Sequence, residues 1–332
     1  VQGAHFAAFA DEYQAILARA RQIVADFPPL MRALARSRLP QWSEGHFARI
    51  VALLAYWVAD LLDQLPSPRS SARSGELETL DLADLLGWWS YQIQDELLDG
   101  ELGGQDLLPL ATAFHTTAVA LLARLLPGDE VFWQAFQRQS LTTAEAHIRE
   151  HRRRFWSLEE LTGDDLDGPT SDLDNPDRLA DRSSLLQWAA IALLAARGYG
   201  PENSLYTALS ETLRQYAIAR QIADDLGDWV EDLQNGRLNY VSARIMHRMV
   251  ESGVAQTPAE LDAAWMTGYF LHDDELFTDI QQVALGACQR AGEALAPYGP
   301  RYLSALVDEL RRQLEGSYRA AMDHRRTLWA TL

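Results

Sequence analysis

Apolar residues return every three or four positions along nearly the whole chain. Windows at 9–24, 47–65, 80–98, 107–126, 131–155, 183–197, 205–233, 276–295 and 302–328 all show this spacing, the repeat of one helix face. β-Branched runs in strict alternation are absent, and Ala and Leu, both strong helix formers, dominate. The pattern predicts an all-α fold, a single large helical bundle of about ten helices. With 332 residues, 48% of them hydrophobic, the chain can bury a large core. Gly- and Pro-bearing breaks fall at 66–75, 163–176, 198–201, 234–236, 253–258 and 297–300. None has the composition of a domain linker and no solenoid repeat is seen, so one domain is expected over 1–332.

Charge and rare residues narrow the chemistry. The net charge is −18, which argues against a nucleic-acid partner, because phosphate backbones select basic surfaces. All 29 basic residues are Arg. Without Lys there is no Schiff-base lysine, no pyridoxal-phosphate anchor and no P-loop lysine. A bound phosphate would have to be held by Arg, metal, backbone amides or hydroxyls, and Arg matches phosphate oxygens bidentately. The lone cysteine, Cys288, excludes an internal disulfide and a Cys-based zinc cluster. The near-apolar stretch 47–62 is interrupted by Arg49 and Asp60 and reads as a core helix. No signal-peptide pattern opens the sequence. A cytoplasmic protein without stable membrane insertion is therefore expected.

Two acidic segments stand out. In the first, Asp95 and Asp99 are four apart and share a helix face, with Trp88 and Tyr91 on the same face further back. Like charges at that spacing repel, and a bridging cation reverses the sign. In the second, Asp224, Asp228 and Asp232 step by four into one stripe within a long helix. Hard carboxylate oxygens in this arrangement suit Mg²⁺, which takes a few carboxylates together with phosphate and water. Asp225 and Glu231 fall off the stripe and are expected to be solvated.

These residues carry a family resemblance. Asp95-Glu96-x-x-Asp99 resembles the first aspartate-rich motif of the class I terpenoid synthase superfamily. The stretch 224–232 resembles the second metal motif of bacterial terpene cyclases, with Asp228 in place of a hydroxyl residue and Asp232 in place of Glu. It is also similar to the second motif of squalene and phytoene synthases, through Asp228 to Asp232 followed by Gly236, Arg237 and Tyr240. The resemblance implies a bundle around a central apolar cavity, with metal motifs on facing walls. It implies Mg²⁺, three ions with the bound diphosphate, or Mn²⁺ instead. Asp95, Glu96, Asp99, Asp224, Asp228 and Asp232 would be the ligands. The substrate would be a prenyl diphosphate such as farnesyl or geranylgeranyl diphosphate, ionised to an allylic cation. Trp88, Tyr91 and Trp188 would line the pocket, and a homodimer is compatible with the family.

Other residues bear on the branch. Arg178 and Asp181 match the diphosphate-sensing Arg of cyclases and the Asp three residues later, with Arg182 where a small residue is usual. Arg301-Tyr302 resembles a C-terminal Arg-Tyr pair, and Arg237 with Tyr240 is the competing assignment. Chain-elongating enzymes carry an Arg pair soon after the first motif and a Gly-Gly-Lys-Arg cluster near the N-terminus. Here no basic residue follows Asp99 until Arg124, and Arg32, Arg36 and Arg38 lack that pattern. Cyclisation is thus the preferred expectation. Head-to-head condensation, chain elongation and an inactive partner subunit are the alternatives.

Two further patterns invite chemistry. His147-x-x-Glu150-His151 spells a zinc-protease pattern, but it sits in a highly charged helix without the α/β context. Asp164, Asp165, Asp167, Asp172 and Asp174 form an acidic loop that fails EF-hand spacing.

Overall fold

A computed structural model describes residues 3–65, 74–98, 106–152 and 175–331. Among them there is no strand. The helices are α1 (Ala4–Ala7), α2 (Ala10–Ala25), α3 (Pro29–Glu44), α4 (His46–Val51), α5 (Leu54–Asp63), α6 (Ser74–Leu98) and α7 (Leu107–Leu125). They continue as α8 (Glu130–Arg152), α9 (Trp188–Ala196), α10 (Ser204–Gln234), α11 (Tyr240–Glu251), α12 (Ala263–His272), α13 (Asp274–Leu295) and α14 (Arg301–Thr331). A 3₁₀ segment, Pro176–Gln187, leads into α9.

The helical expectation holds, with more segments than about ten. The periodic window 47–65 divides at Ala52 and Leu53 into α4 and α5. α3, α11 and α12 fall where periodicity alone set no helix, and α3 runs through Pro40. A stretch without acidic or basic residues, apart from His115, runs through α7 and is longer than any within 47–62. By length and mean hydropathy of 1.3, α7 is the one described helix that meets the criterion for a membrane span. Its Leu110, Phe114 and Leu122 are fully buried in the protein core.

The chain forms two compact units. Unit 1 comprises residues 1–143, 184–211 and 294–306; unit 2 comprises 144–183, 212–293 and 307–332. In unit 1 the core is built on α5, α6 and α9. Trp57, Trp89 and Trp188 are all within 1% of complete burial. α9 is apolar on every side, the signature of a helix surrounded by protein, and α5 buries all of its residues but Asp60 and Asp63. Two acids on α6 organise the ends of these helices. Asp81 accepts from the backbone N–H of Ala55 at 2.7 Å, in the first turn of α5. Asp84 accepts from the backbone N–H of Ala189, in the first turn of α9. First-turn N–H groups have no intrahelical acceptor, so each carboxyl satisfies a donor that burial would otherwise strand. Both acids are pushed well above the usual carboxylate range, first by burial and, at Asp84, also by the neighbouring Asp81. At the other end of α9, Arg197 clamps Glu76 of α6 through two hydrogen bonds of 2.9 and 2.7 Å.

Unit 2 is held by α10, α11, α12, α13 and α14. Arg325 of α14 is 4% exposed. It donates to the carbonyl of Phe270 at 2.6 Å and to Asp274 at 2.8 Å, and lies 4.2 Å over the Phe277 ring. This satisfies carbonyls left open where α12 ends. Gln281 of α13 donates to the Leu314 carbonyl at 2.8 Å, tying the same two helices together further along.

Candidate functional site

The acidic stripe lies on α10, in unit 2. Asp224 pairs with Arg220 one turn earlier. Asp228 is exposed and Asp232 half-buried. Although the residue as a whole is exposed, partial desolvation of its carboxyl, followed by the charge on Asp232, pushes Asp228 up to about 6. These three side chains therefore sit on one helix face as the spacing predicts.

The end of α10 folds back onto its own stripe. Gly236 takes a left-handed conformation, φ 71°, which a residue with a Cβ adopts only under strain. The turn places Gly236 N–H on the Leu233 carbonyl at 3.1 Å and Arg237 N–H on the Asp232 carbonyl at 2.8 Å. That is the Schellman arrangement at a helix end. The residue brought back is Arg237, which forms an ion pair with Asp232, its Nε 3.0 Å from Oδ1. Arg237 thus joins Arg220 as an Arg paired with the stripe.

Two residues complete the cluster that sequence reasoning passed over. Asp225 is not solvated: it is 4% exposed. It accepts from Gln221 Nε2 at 2.7 Å and from the backbone N–H of Tyr240 at 3.0 Å. Burial pushes its carboxyl up to about 7, against the pull of the Gln221 bond and the Arg182 charge. Tyr240 is buried and meets the cluster through this backbone N–H. Asn239, the N-cap of α11, donates through Nδ2 to Asp232 Oδ2 at 3.0 Å and approaches Asp228 Oδ1 at 3.5 Å. The signal was present in Asn239-x-x-Ser242, which forms a reciprocal capping box.

Of the expected diphosphate-sensing residues, Arg182 lies close enough to Asp225 for its charge to act on it. Arg178 starts the same 3₁₀ segment, with its backbone N–H on Asn175. Asp181 is paired with Arg149 of α8 at 3.1 Å. Arg301 and Tyr302 open α14 in unit 1, where the Tyr302 ring meets Phe9 at 4.9 Å and Arg301 lies over that ring.

The first acidic motif lies at the end of α6, in unit 1. Asp95 is half-buried, and Asp99 lies outside the described residues. Glu96, expected among the ligands, is 7% exposed and its Oε1 accepts from Trp42 Nε1 at 3.3 Å and Gln92 Nε2 at 3.2 Å. Those bonds turn it into the contact between α3 and α6. Trp88 stacks between Phe47 and Tyr91, with ring centroids 5.3 and 5.5 Å away. Trp188 is core: its ring meets Phe136 at 4.3 Å and packs against Gly87, where a Cβ would come within 2.6 Å.

Unit 1 also holds a cleft of about 530 Å³ lined from α2, α3 and α4. Arg21, Arg36 and Arg49 contribute to its wall, with Glu44 the acid among the lining residues. Arg36 belongs to the N-terminal cluster set aside for lacking a Gly-Gly-Lys-Arg pattern. The fold supplies Arg21 and Arg49 from other helices, so the grouping is spatial and no motif displays it.

Among the described residues, no three His, Cys, Asp or Glu side chains converge into a ready-made metal cage. His147 is buried in α8 and His151 is exposed, which leaves the zinc-protease pattern without a centre. The acidic loop at 164–174 lies outside the described residues. The stripe still fits Mg²⁺, which binds through one or two carboxylates and completes its shell with phosphate and water. Asp228 and Asp232, adjacent and sharing the Asn239 donor, are that kind of pair.

No protein-family profile and no curated protein sequence matches the chain. Solved structures do match it. A polyprenyl synthase from Roseobacter denitrificans superposes with a TM-score of 0.65 at 17% identity, covering 93% of this chain and 96% of that one. Geranylgeranyl pyrophosphate synthetase from Pyrococcus horikoshii gives 0.65 at 14% identity, covering 92% and 98%. T. brucei farnesyl diphosphate synthase, complexed with a bisphosphonate, gives 0.61 at 14%, covering 92% and 96%. The fold is therefore the all-α isoprenoid synthase-like bundle.

Proposed function

We propose that this protein is a metal-dependent prenyltransferase acting on two prenyl diphosphates. The allylic C–O bond of one substrate breaks, and inorganic pyrophosphate leaves with the bonding electrons. The allylic cation is attacked by the double bond of the second substrate, a C–C bond forms, and a proton is lost. Mg²⁺, when bound, supplies the Lewis acid that draws off the pyrophosphate. On this reading Asp224, Asp228, Asp232 and Asp95, with Asp99, supply oxygen ligands. Arg237 and Arg182 balance the charge beside them, and Glu96 orients the end of α6.

The observation that carries prenyl transfer over cyclisation is the Arg21, Arg36 and Arg49 cleft. A cyclase ionises one diphosphate and has no use for a second anion site. A transferase must hold a second diphosphate intact, away from the ionising metals, and Arg forks suit that task. α3, which lines the cleft, is bonded through Trp42 to Glu96 in the first acidic motif. Likeness to polyprenyl, geranylgeranyl and farnesyl diphosphate synthases over more than nine-tenths of the chain supports the same reading.

The test is product analysis by mass spectrometry with Mg²⁺. Geranyl or farnesyl diphosphate is supplied alone, then with isopentenyl diphosphate. A longer prenyl diphosphate formed only with both substrates is expected. A cyclic hydrocarbon from one substrate alone would restore the cyclase reading, and a squalene-like product would indicate head-to-head condensation.

A further inference from the structure

The N-terminus of α11 is directed at the acidic stripe of α10, and one side chain makes the junction. Asn239 Oδ1 accepts from Ser242 N–H at 3.0 Å, and Ser242 Oγ accepts from Asn239 N–H at 3.0 Å. This pair fixes the orientation of the amide, because only an oxygen can receive the Ser242 N–H. Nδ2 must then face the other way. It reaches Asp232 Oδ2 at 3.0 Å, the Asp225 carbonyl at 3.4 Å and Asp228 Oδ1 at 3.5 Å. The next backbone N–H, that of Tyr240, is taken by Asp225.

Three facts follow for the stripe. Asp228 and Asp232, which repel at their spacing, share a neutral donor. Their carboxylates keep further lone pairs open, since each can accept about four hydrogen bonds. The donor is itself locked by a helix cap, so it cannot swing away without uncapping α11. We propose that Asn239 is a positioning residue that holds Asp228 and Asp232 at the spacing a divalent cation needs before the cation arrives. Outer partners of ligating carboxylates orient them in this way, and their loss typically weakens metal binding about 10- to 100-fold. The inference rests on the metal-dependent reading above.

Asn239→Ser separates positioning from capping. Ser caps a helix about as well as Asn. Its hydroxyl, committed to Ser242 N–H, is too short to reach Asp232 as well. Ser242→Ala does the reverse: it weakens the cap and leaves Nδ2 in place. Each full-length protein is titrated calorimetrically with Mg²⁺ in the presence of inorganic pyrophosphate, and its melting temperature is measured. The expected result is a 10- to 100-fold loss of Mg²⁺ affinity in Asn239→Ser, with Ser242→Ala binding like the unaltered protein despite a lower melting temperature. Unchanged affinity in Asn239→Ser overturns the proposal. So does equal weakening in both variants in step with their melting temperatures, or an Asn239→Ser chain that no longer folds, since either makes Asn239 a cap only. Absence of metal-dependent heat from the unaltered protein instead overturns the prenyltransferase reading, and this inference with it.

Discussion

Arg237 meets Asp232 twice, through its backbone N–H on the Asp232 carbonyl and through Nε on the Asp232 carboxylate. A Schellman turn usually closes with an apolar contact between these positions; here it closes with an ion pair. The left-handed Gly236 makes both contacts reachable. Gly236→Ala is expected to cost about 1 kcal/mol of stability, measured by urea denaturation, because a Cβ disfavours that conformation. Arg237→Ala should lower pyrophosphate release by roughly 10²-fold, the scale for removing one preorganised charge partner. Arg301→Ala, remote in sequence and lying over the Tyr302 ring, should leave turnover close to that of the unaltered enzyme. The reverse ranking would reassign the diphosphate contact to Arg301.

The arginine cleft predicts a division of kinetic effects. Arg36→Ala and Arg21→Ala should raise KM for the non-ionised diphosphate about tenfold while kcat changes little, as expected when binding common to ground and transition state is lost. KM for the allylic substrate should stay where it was. Steady-state kinetics with each substrate varied in turn reads this directly; a matched rise in both KM values would refute separate sites.

The buried acids of α6 give the protein a pH-dependent stability. Asp81 and Asp84 have folded-state pKa values raised above their unfolded ones. The folded chain then binds more protons, so their contribution is full below the ordinary carboxylate pKa of about 4 and is lost as pH climbs through the raised values. Asp84→Asn keeps an acceptor for Ala189 N–H and carries no charge. Its melting temperature should exceed that of the unaltered protein at pH 8 and match it near pH 4. A difference that does not change with pH would show that Asp84 is ionised throughout.

Gly87 is a packing requirement. A Cβ there would lie 2.6 Å from Cζ3 of the buried Trp188 ring. Gly87→Ala should therefore destabilise the chain by about 1–3 kcal/mol, the usual cost of overpacking. Combining it with Trp188→Phe, which clears that atom, should recover part of the loss in thermal melts. Strict additivity of the two losses would place the strain elsewhere.

How much of this was legible in sequence depended on whether the signal was local. The helical class follows from three- and four-residue spacing, and the Asp224, Asp228 and Asp232 stripe follows from the same geometry. α3 escaped because Pro40 interrupts its pattern, and α4 and α5 merged because the break at Ala52 and Leu53 carries no Gly or Pro. Asp225 looked like a solvated acid because its acceptors' partner, the Tyr240 backbone, belongs to the next helix. The bond from Trp42 to Glu96 was not legible, because sequence does not show Trp42 beside it. The cleft arginines come from three helices, and only folding brings them together.

Asp81 and Asp84 sit one turn apart, yet one serves a helix that precedes them and the other a helix made more than a hundred residues later. During synthesis Asp81 can find Ala55 as soon as α6 has emerged. Asp84 must wait, its carboxyl committed to the interior but without its partner, until α9 leaves the ribosome. A chain cut before Ala189 would thus keep the Asp81 bond to Ala55 but lack the N–H that Asp84 accepts in the finished core.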